Sequence, residues 1–588
     1  MHNQRNLILA IVLTGLVLFG WDMAIRHFYP QQDAPVPAAS VAAGADGHAA
    51  KPTREGGLTD AADVATEAKD LKTALAAGGR VPISAPGLSG SINLNGAVLD
   101  DLTINRHTAT EDKDSGPVRI FSPAGTPAQH FAQFGWKVAE GVANPTPNTV
   151  WTAPAGAKLT PQTPVTLTWT NDTGQTFTIT FAIDKDYMIT ATQTVANHGA
   201  APVVLNPFAL INRTDRTASV DSFNVHSGPI GAFDGAVNFD YNYDDVADAN
   251  SVRVDGKPDW IGFTDVYWLS ALVPDKGANS KGDFRSLGNT NYRADLIYDE
   301  VILPPGKQIT RTTRLFAGAK ESDVLDRYED SGITNFGLAI DWGWFRWFEK
   351  PLFMLLQALF KTVGNFGVAI ILLTVIVRGI MFPVAQRQFA SMAAMRAVQP
   401  KMKAIQERYK DDKQKQQQEI MALYKKEGVN PLAGCLPIFL QIPIFFALYK
   451  VLILSIEMRH QPFILWIKDL SAPDPLHILN LFGLLPFTPP SFLAIGILAV
   501  LLGITMWLQF KLNPAPMDPV QQQVFSIMPW MMMFIMAPFA AGLLLYWITS
   551  NVLTIAQQKY LYSKHPALKA QGEKDAGDTK RAPASKKG

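Results

Sequence analysis

The sequence contains a single cysteine, Cys435, in 588 residues. An intrachain disulfide and a cysteine metal cluster are therefore both excluded. Charge is also scarce, since Asp, Glu, Lys and Arg make up 18% of the chain while hydrophobic residues make up 47%. The motifs G-x-S-x-G and H-E-x-x-H and the phosphate-binding Walker loop are absent as well. The chain carries no motif of a serine hydrolase, a zinc protease or a nucleotide hydrolase of these types.

Long apolar runs are the main feature that the sequence does have. The first is LILAIVLTGLVLFG at residues 7–20, which is followed at once by Trp21-Asp22. No small-x-small cleavage site follows, and a helix continued by a further turn has ~20 residues, which is enough to cross a bilayer. Residues 1–29 are therefore predicted to be an uncleaved N-terminal transmembrane anchor. Cleavage of a signal peptide near Ala39-Ser40 is the alternative.

The long stretch that follows the anchor is polar, and its apolar residues alternate. Residues 30–57 are rich in Pro, Ala and Gly and are predicted to be a flexible linker. Within residues 58–337, segments such as VTLTWT at 165–170 and FTITFAI at 177–183 alternate apolar residues with threonine. This period of two is typical of strands that bury one face. Many such segments without long helices between them predict a large all-β sandwich domain.

From residue 338 onward the chain becomes strongly apolar again. LAIDWGWFRWFEK at 338–350 mixes aromatic and charged side chains, which favours an amphipathic interfacial helix over a core helix of the β domain. Residues 351–562 are predicted to form a core of five membrane-spanning helices. The predicted spans are 360–384, 434–455, 491–511, 524–540 and 541–561.

Lysine and arginine are concentrated at 385–430, between the first two of these spans. The positive-inside rule places this loop in the cytoplasm. Both chain termini are then cytoplasmic, residues 30–350 lie on the opposite side, and the membrane is crossed six times when the anchor is included. The predicted fold class is a polytopic α-helical membrane protein with a large all-β domain outside the cytoplasm.

The loop at 385–430 is predicted to form a helical hairpin that stands in the cytoplasm, with an interruption or restart at Pro400. Its methionines and one arginine form a candidate binding stripe, and packing between the two hairpin helices is the alternative. These residues are Met392, Met395, Arg396, Met402 and Met421. The tail at 563–588 is rich in lysine and predicted to be disordered, and it suits either a solvated tail or attachment to RNA or anionic lipid.

Arg378 lies inside the apolar run VAIILLTVIVRGIMFPV at 368–384. A guanidinium in the middle of a bilayer costs ~2.5–3.5 kcal/mol on insertion scales, so an arginine there indicates either snorkelling to the interface or a wet, functional environment. Neutral polar residues in the same spans could line a hydrated half-channel with it, or could simply bond to backbone and to each other. They include Thr374, Gln441, Gln509, Ser550, Asn551 and Thr554.

Four strings in the second half resemble the YidC family of membrane protein insertases (the YidC/Oxa/Alb family), in its Gram-negative type with a large periplasmic domain. They are TVIVRGIMFPVAQRQFASMAAMRAVQPKMKAIQERY at 374–409, EGVNPLAGCLPIFLQIPIFFALYKVL at 427–452, PFILWIKDLSAPDP at 462–475 and GLLLYWITSNVLTIAQQ at 542–558. The order of anchor, large outer domain, five-span core and basic tail also resembles that family.

The resemblance implies a five-helix core around a hydrophilic groove that is open to the cytosol and to lipid. The groove arginine of the family corresponds to Arg378, its threonine to Thr374, its glutamine in the third span to Gln441, and its aromatic pair in the sixth span to Tyr546 and Trp547. The implied partners are nascent membrane proteins, the Sec translocon, membrane lipid and the ribosome, the last bound through the basic tail and the cytoplasmic loops. The resemblance implies a bacterial inner-membrane protein that is not an enzyme, with no cofactor, no metal and no small-molecule substrate.

Two other functions are compatible with parts of the sequence. A secondary transporter usually shows internal repeats, and no repeat relates 351–455 to 491–560. A membrane-anchored periplasmic enzyme that acts on sugar needs a pair of carboxylates, and the sequence alone does not place one.

Overall fold

The computed structural model describes residues 55–139, 142–220, 225–343, 346–410, 412–428, 436–482, 484–485, 494–512 and 519–564. The predicted anchor at 1–29, nearly all of the predicted linker and all but the first residues of the basic tail lie outside this range. Residues 51–588 belong to one compact unit.

The first half of the described chain is built from antiparallel strands in two sheets. The strands are β1 (Arg80–Ser84), β2 (Leu88–Asn93), β3 (Val98–Thr108), β4 (Pro117–Phe121), β5 (His130–Val138), β6 (Val165–Thr170), β7 (Gln175–Ile183), β8 (Met188–Asn197), β9 (Val203–Thr214), β10 (Gly228–Phe233), β11 (Ala236–Asn238), β12 (Ser251–Arg253), β13 (Pro258–Thr264), β14 (Trp268–Val273), β15 (Ser280–Gly288), β16 (Asn291–Tyr298), β17 (Val301–Leu303) and β18 (Gln308–Ala319). The larger sheet has the order β1-β2-β3-β5-β9-β16-β15-β12, with β4 paired to β3 and β17 paired to β9. The smaller sheet has the order β11-β10-β13-β14-β18-β8-β7-β6.

The core of the β region lies between the two sheets. Along β7 the apolar residues of the predicted alternation, from Phe177 to Ile183, are buried, while the threonines between them are half-buried. The rings of Phe134 on β5 and Phe181 on β7 lie 5.8 Å apart and join the two sheets. The predicted β-sandwich is therefore confirmed, with opposed apolar faces forming its interior.

Among the residues that the structure describes, three α-helices accompany the strands: α1 (Ala61–Ala76), α2 (Tyr243–Ala249) and α3 (Ser322–Asp330). Helix α1 begins where the Asp60 carboxylate accepts hydrogen bonds from the backbone N–H groups of Ala62 and Asp63. Such a cap satisfies donors that the first turn of a helix leaves unpaired.

The second half of the chain is helical. Its helices are α4 (Arg346–Val363), α5 (Phe366–Arg408), α6 (Lys413–Glu427), α7 (Leu436–Leu454), α8 (Ile497–Leu512), α9 (Pro519–Met536) and α10 (Ala541–Lys564). Helix α5 packs against α4 and α10, α8 packs against α9 and α10, and α4 also contacts α7.

The boundary between α4 and α5 differs from the sequence prediction. The sequence predicted an interfacial helix at 338–350 and a first core span from residue 360, whereas α4 runs to Val363 and α5 begins at Phe366. The break lies at Gly364, which adopts a left-handed φ of 70°, and at Asn365, whose side chain accepts a hydrogen bond from the Val368 N–H.

The predicted interruption at Pro400 is also absent, since α5 continues through Pro383 and Pro400 to Arg408. A proline removes one backbone donor, and the turns on either side of it keep theirs.

In the described part of the chain, one helix is long and apolar enough to cross a membrane on its own, namely Phe366–Gln386 within α5. Three shorter apolar helical segments are Pro443–Leu454, Ile497–Leu512 and Ser526–Met536. The long helix and the three shorter segments all expose large apolar side chains, including Ile380, Phe446, Ile504 and Phe534. Exposed apolar surface of this kind requires an apolar surrounding or a partner.

Ion pairs join the helices to the β region. Lys450 on α7 contacts the Asp341 carboxylate at 3.2 Å and the Asp341 carbonyl at 2.8 Å. Lys350 on α4 lies 2.9 Å from the carboxylate of Asp326 on α3. The β region is therefore attached to α4 and α7 by direct contacts.

Candidate functional site: polar side chains around Arg378

Arg378 lies on the apolar part of α5, and its side chain is half-buried. Its guanidinium Nη2 donates a hydrogen bond to the hydroxyl of Ser550 on α10, which is itself buried. The guanidinium is therefore directed across the helix pair toward α10. Snorkelling would instead direct it along α5 toward the charged end of that helix.

No carboxylate pairs with Arg378 among the residues that the structure describes. Its only cross-helix hydrogen bond within that part of the chain is to a neutral hydroxyl. A guanidinium stays charged at all ordinary pH values, so this position carries a positive charge that no carboxylate of the described residues compensates. Such a charge attracts an acidic group that comes near it.

Thr374 lies one turn before Arg378 and is 1% exposed. Its hydroxyl donates to the Ile370 carbonyl of the same helix at 2.7 Å. This bond uses the only hydrogen of the hydroxyl, so Thr374 can act on a neighbouring group only as an acceptor.

A second polar group lies between α8 and α10. Asn551, buried on α10, donates through Nδ2 to the hydroxyl of Thr505 on α8 at 3.2 Å. Gln509 follows Thr505 by one helical turn, and its buried Oε1 has no hydrogen-bond partner in the described part of the protein. A buried acceptor in this condition is usually satisfied by water. Thr505 was not singled out from the sequence, although its i, i+4 spacing to Gln509 places both polar residues on one face of the helix.

Tyr546 and Trp547 point to different neighbours. Tyr546 is buried one turn before Ser550, on the face of α10 that carries the acceptor for Arg378. The Trp547 ring lies 4.9 Å from the ring of Phe445 on α7, so this residue packs toward α7. Gln441 lies on α7 one turn before Phe445, and the structure describes its backbone but not its side chain.

The hairpin residues that the sequence singled out fall into two groups. Met402 packs between the hairpin helices, where its sulfur lies 3.1 Å from the hydroxyl of Tyr424, whereas Met421 is 53% exposed. Lys401 and Glu427 form an ion pair of 2.7 Å across the hairpin. Met392, Met395 and Arg396 lie on α5, and the structure describes their backbone but not their side chains.

The sequence resembles those of known proteins. The family model for the YidC periplasmic domain matches residues 80–355, and the model for the 60Kd inner membrane protein matches residues 358–569. The membrane protein insertase YidC of Zymomonas mobilis is 46% identical to this chain, and the match covers 100% of this chain and 99% of that relative. That of Nitrobacter hamburgensis is 44% identical over 96% of both proteins. A crystal structure of an active YidC insertase is 18% identical in sequence and has a TM-score of 0.35. The match covers 81% of this chain and 91% of the chain in that crystal structure.

Proposed function

The chain belongs to the YidC family of membrane protein insertases, and we propose that it inserts its substrates past the polar side chains around Arg378. It is an insertase of the bacterial inner membrane with a periplasmic domain and a membrane insertase domain, and its family is not one of enzymes. Its substrates are other, nascent membrane proteins.

The observation that supports the proposed mechanism is the state of Arg378. It is bound to the Ser550 hydroxyl, has no carboxylate partner in the described part of the chain, and lies within the apolar part of α5. A substrate with an acidic tail that must cross to the periplasm would be attracted to this charge. A membrane potential that is positive outside then favours onward movement of the acidic tail.

Water around the polar groups of α8 and α10 would lower the barrier further. The buried Oε1 of Gln509 and the polar pair of Asn551 and Thr505 are suitable partners for ordered water. A hydrated groove shortens the ~30 Å of hydrocarbon that a polar tail must otherwise cross. Thr374, Gln441, Tyr546 and Trp547 are proposed to line the same groove.

The exposed apolar faces of α7 and α9 suit release of the new helix into lipid. They carry Phe446, Ile527, Trp530, Met531, Phe534 and Ile535. An apolar substrate helix that leaves the groove would meet these side chains and lipid tails at once, and both are favourable neighbours for it.

We propose six spans with both termini in the cytoplasm and residues 30–350 in the periplasm. The anchor would be 1–29, followed by the linker at 30–57, the β domain at 58–337, the interfacial segment at 338–350, the core at 351–562 and the tail at 563–588. A reporter fused at Lys413 should then be active only in the cytoplasm, and one at Gly228 only in the periplasm. Both reporters on the same side would contradict this topology.

The ribosome and the Sec translocon are proposed as partners. The support for the ribosome is the excess of lysine in the tail. Deletion of 566–588 should weaken co-sedimentation with ribosomes at low salt, and the wild-type interaction should weaken steeply as salt rises. Equal co-sedimentation of both chains at low salt would contradict a role for the tail.

Reconstitution tests the function itself. The full chain in proteoliposomes should insert a single-span test protein, so that its tail becomes protected from added protease. Empty liposomes and liposomes that contain an unrelated multi-span protein are the controls. Protection that is no greater than in these controls would contradict the proposed function.

A further inference from the structure

Three metal-ligand side chains meet where the β region contacts the loop that follows α7. They are Glu55, which is the first residue that the structure describes, and His460 and Asp469 from that loop. His460 Nε2 lies 3.5 Å from Glu55 Oε1 and 3.8 Å from Asp469 Oδ2. The three candidate ligand atoms all lie within 4.8 Å of one another.

The hydrogen bonds of Thr108 favour the His460 tautomer that carries its hydrogen on Nδ1. The Thr108 hydroxyl donates its only hydrogen to the Thr110 carbonyl at 2.8 Å. Its oxygen is therefore available only as an acceptor toward His460 Nδ1, which lies 3.4 Å away, at the long limit of a hydrogen bond. With the hydrogen on Nδ1, a neutral ring directs the lone pair of Nε2 at two carboxylate oxygens. This arrangement is repulsive unless a cation lies between them, either a second proton on Nε2 or a metal ion.

The distances favour the metal ion. Both oxygens lie farther from Nε2 than the ~2.7–3.2 Å of a well-formed hydrogen bond, and this wider spacing leaves room for an ion between the three ligand atoms. Two ligand atoms that each lie about 2.1 Å from a tetrahedral zinc ion are about 3.4 Å apart, which is close to the shorter of the two. We propose that Glu55, His460 and Asp469 bind a divalent transition-metal ion, for which Zn²⁺ is the best match to one imidazole and two carboxylates.

Neighbouring groups hold each ligand in position. Asp469 Oδ1 accepts hydrogen bonds from the Ser471 hydroxyl and N–H at 2.6 and 2.7 Å, which directs Oδ2 toward His460. Arg459 donates to Glu55 Oε2 at 2.7 Å and leaves Oε1 for the ion. His460 has a left-handed φ of 57°, which is uncommon for a residue with a side chain and is often found at functional sites. Partners of this kind usually accompany metal ligands and orient them.

The position of the site gives the ion a structural role. Glu55 precedes α1 of the β region, Thr108 ends β3, and the other two ligands belong to the loop between α7 and α8. A bound ion would fasten the β region and the start of its chain to the loop at the outer ends of these helices. This inference does not depend on the proposed insertion mechanism.

Calorimetric titration of the full chain with Zn²⁺ tests the site. The protein is purified in detergent, treated with a chelator, freed of the chelator and then titrated. We expect about one Zn²⁺ per chain, and a rise in the unfolding temperature when the ion is added. His460→Ala and Glu55→Gln should each lower the affinity at least tenfold, and Thr108→Val should lower it about 10–100-fold because it removes the group that orients the ring.

His198→Ala is the matched control, since His198 is an exposed histidine of the β region, and it should bind Zn²⁺ like the wild type. Glu55 is the most exposed ligand, so Glu55→Gln keeps the test valid if the histidine variant does not fold. The proposal is wrong if the wild-type chain binds no Zn²⁺, which is the result expected for a second proton on Nε2. It is also wrong if a folded Glu55→Gln protein binds Zn²⁺ as tightly as the wild type.

Discussion

Arg378 and Ser550 are 172 positions apart in the chain and are joined by a hydrogen bond between α5 and α10. The bond holds a positive charge against the buried face of α10, one turn from Tyr546, instead of letting it move toward the charged end of α5. On this basis, the position of the charge depends on two helices, and a change on α10 should affect insertion through Arg378.

Ser550→Ala removes the hydroxyl that accepts from Arg378. A hydrogen bond to a charged group is worth about 1.5–3 kcal/mol, and water can replace part of it, so insertion of a substrate with an acidic tail should fall by up to about tenfold. The Arg378→Ala/Ser550→Ala double variant should be no worse than Arg378→Ala alone, because the two residues act as a unit. Ser563→Ala, at the exposed end of α10, is the control. Additive defects in the double variant would show that Ser550 acts independently of Arg378.

Gly367 lies near the start of α5 with no space for a side chain. A Cβ at this position would lie 2.0 Å from Cδ2 of Phe463. Gly367→Ala should therefore lower the stability of the protein by about 1–3 kcal/mol, as overpacking generally does, and Phe463→Ala should restore part of the loss. Thermal unfolding in detergent, followed by tryptophan fluorescence, measures both effects.

Gly379→Ala is the control for this pair. A Cβ at Gly379 meets nothing within 4 Å, and alanine is favoured over glycine in a helix by about 1 kcal/mol. The control should therefore be neutral or stabilising. An unfolding temperature for Gly367→Ala equal to that of Gly379→Ala would contradict the close packing of Phe463 on α5.

Glu457, just beyond α7, should make stability depend on pH. Burial raises the pKa of its carboxyl to about 7, and Gln357 Nε2 donates to it at 2.9 Å. An unfolded glutamate has a pKa of about 4.3, so the folded state binds more protons between these values. The free energy of unfolding should therefore decrease as pH rises from about 5 to 8, by of order 1–3 kcal/mol from this group.

Glu457→Gln removes the titration and should flatten the change in unfolding temperature between pH 5 and pH 8. Glu300→Gln changes an exposed carboxyl and should leave the wild-type pH dependence in place. If Glu457→Gln retains the full dependence, another group is responsible for it.

The strands could be predicted from the sequence more completely than their arrangement. The alternation at 165–170 and 177–183 corresponds to β6 and β7, which are joined by a turn at 171–174 with Gly174 at a left-handed φ of 87°. Alternation identifies which face of a strand is buried, but it does not identify neighbours. The position of β9 between β5 and β16 depends on contacts between distant segments.

The same limit applies to the candidate sites. Arg378 could be recognised because one charge in an apolar run is costly, whereas its partner had to be chosen among several neutral polar residues of other helices. Glu55, His460 and Asp469 carried no local spacing signal at all, because a ligand from the start of the β region meets two from a loop more than 400 positions later. Gly364 and Asn365 did carry the start signal of α5, but they lie in a largely apolar stretch that concealed it.

The charge of Arg378 is proposed to attract acidic substrate tails. Arg378→Lys keeps the charge and should largely preserve insertion, because a hydrated groove does not require the guanidinium fork. Arg378→Ala should impair insertion of an acidic-tailed substrate by about 1–4 kcal/mol, the attraction of two unit charges at an effective dielectric between water and ~20.

The most direct measurement compares wild type and Arg378→Ala in proteoliposomes, each with a substrate whose tail is acidic or has its acidic residues neutralised. We predict a large loss for the acidic tail and a much smaller loss for the neutral tail, because interacting partners are not additive. An equal loss for the two tails would contradict attraction by Arg378.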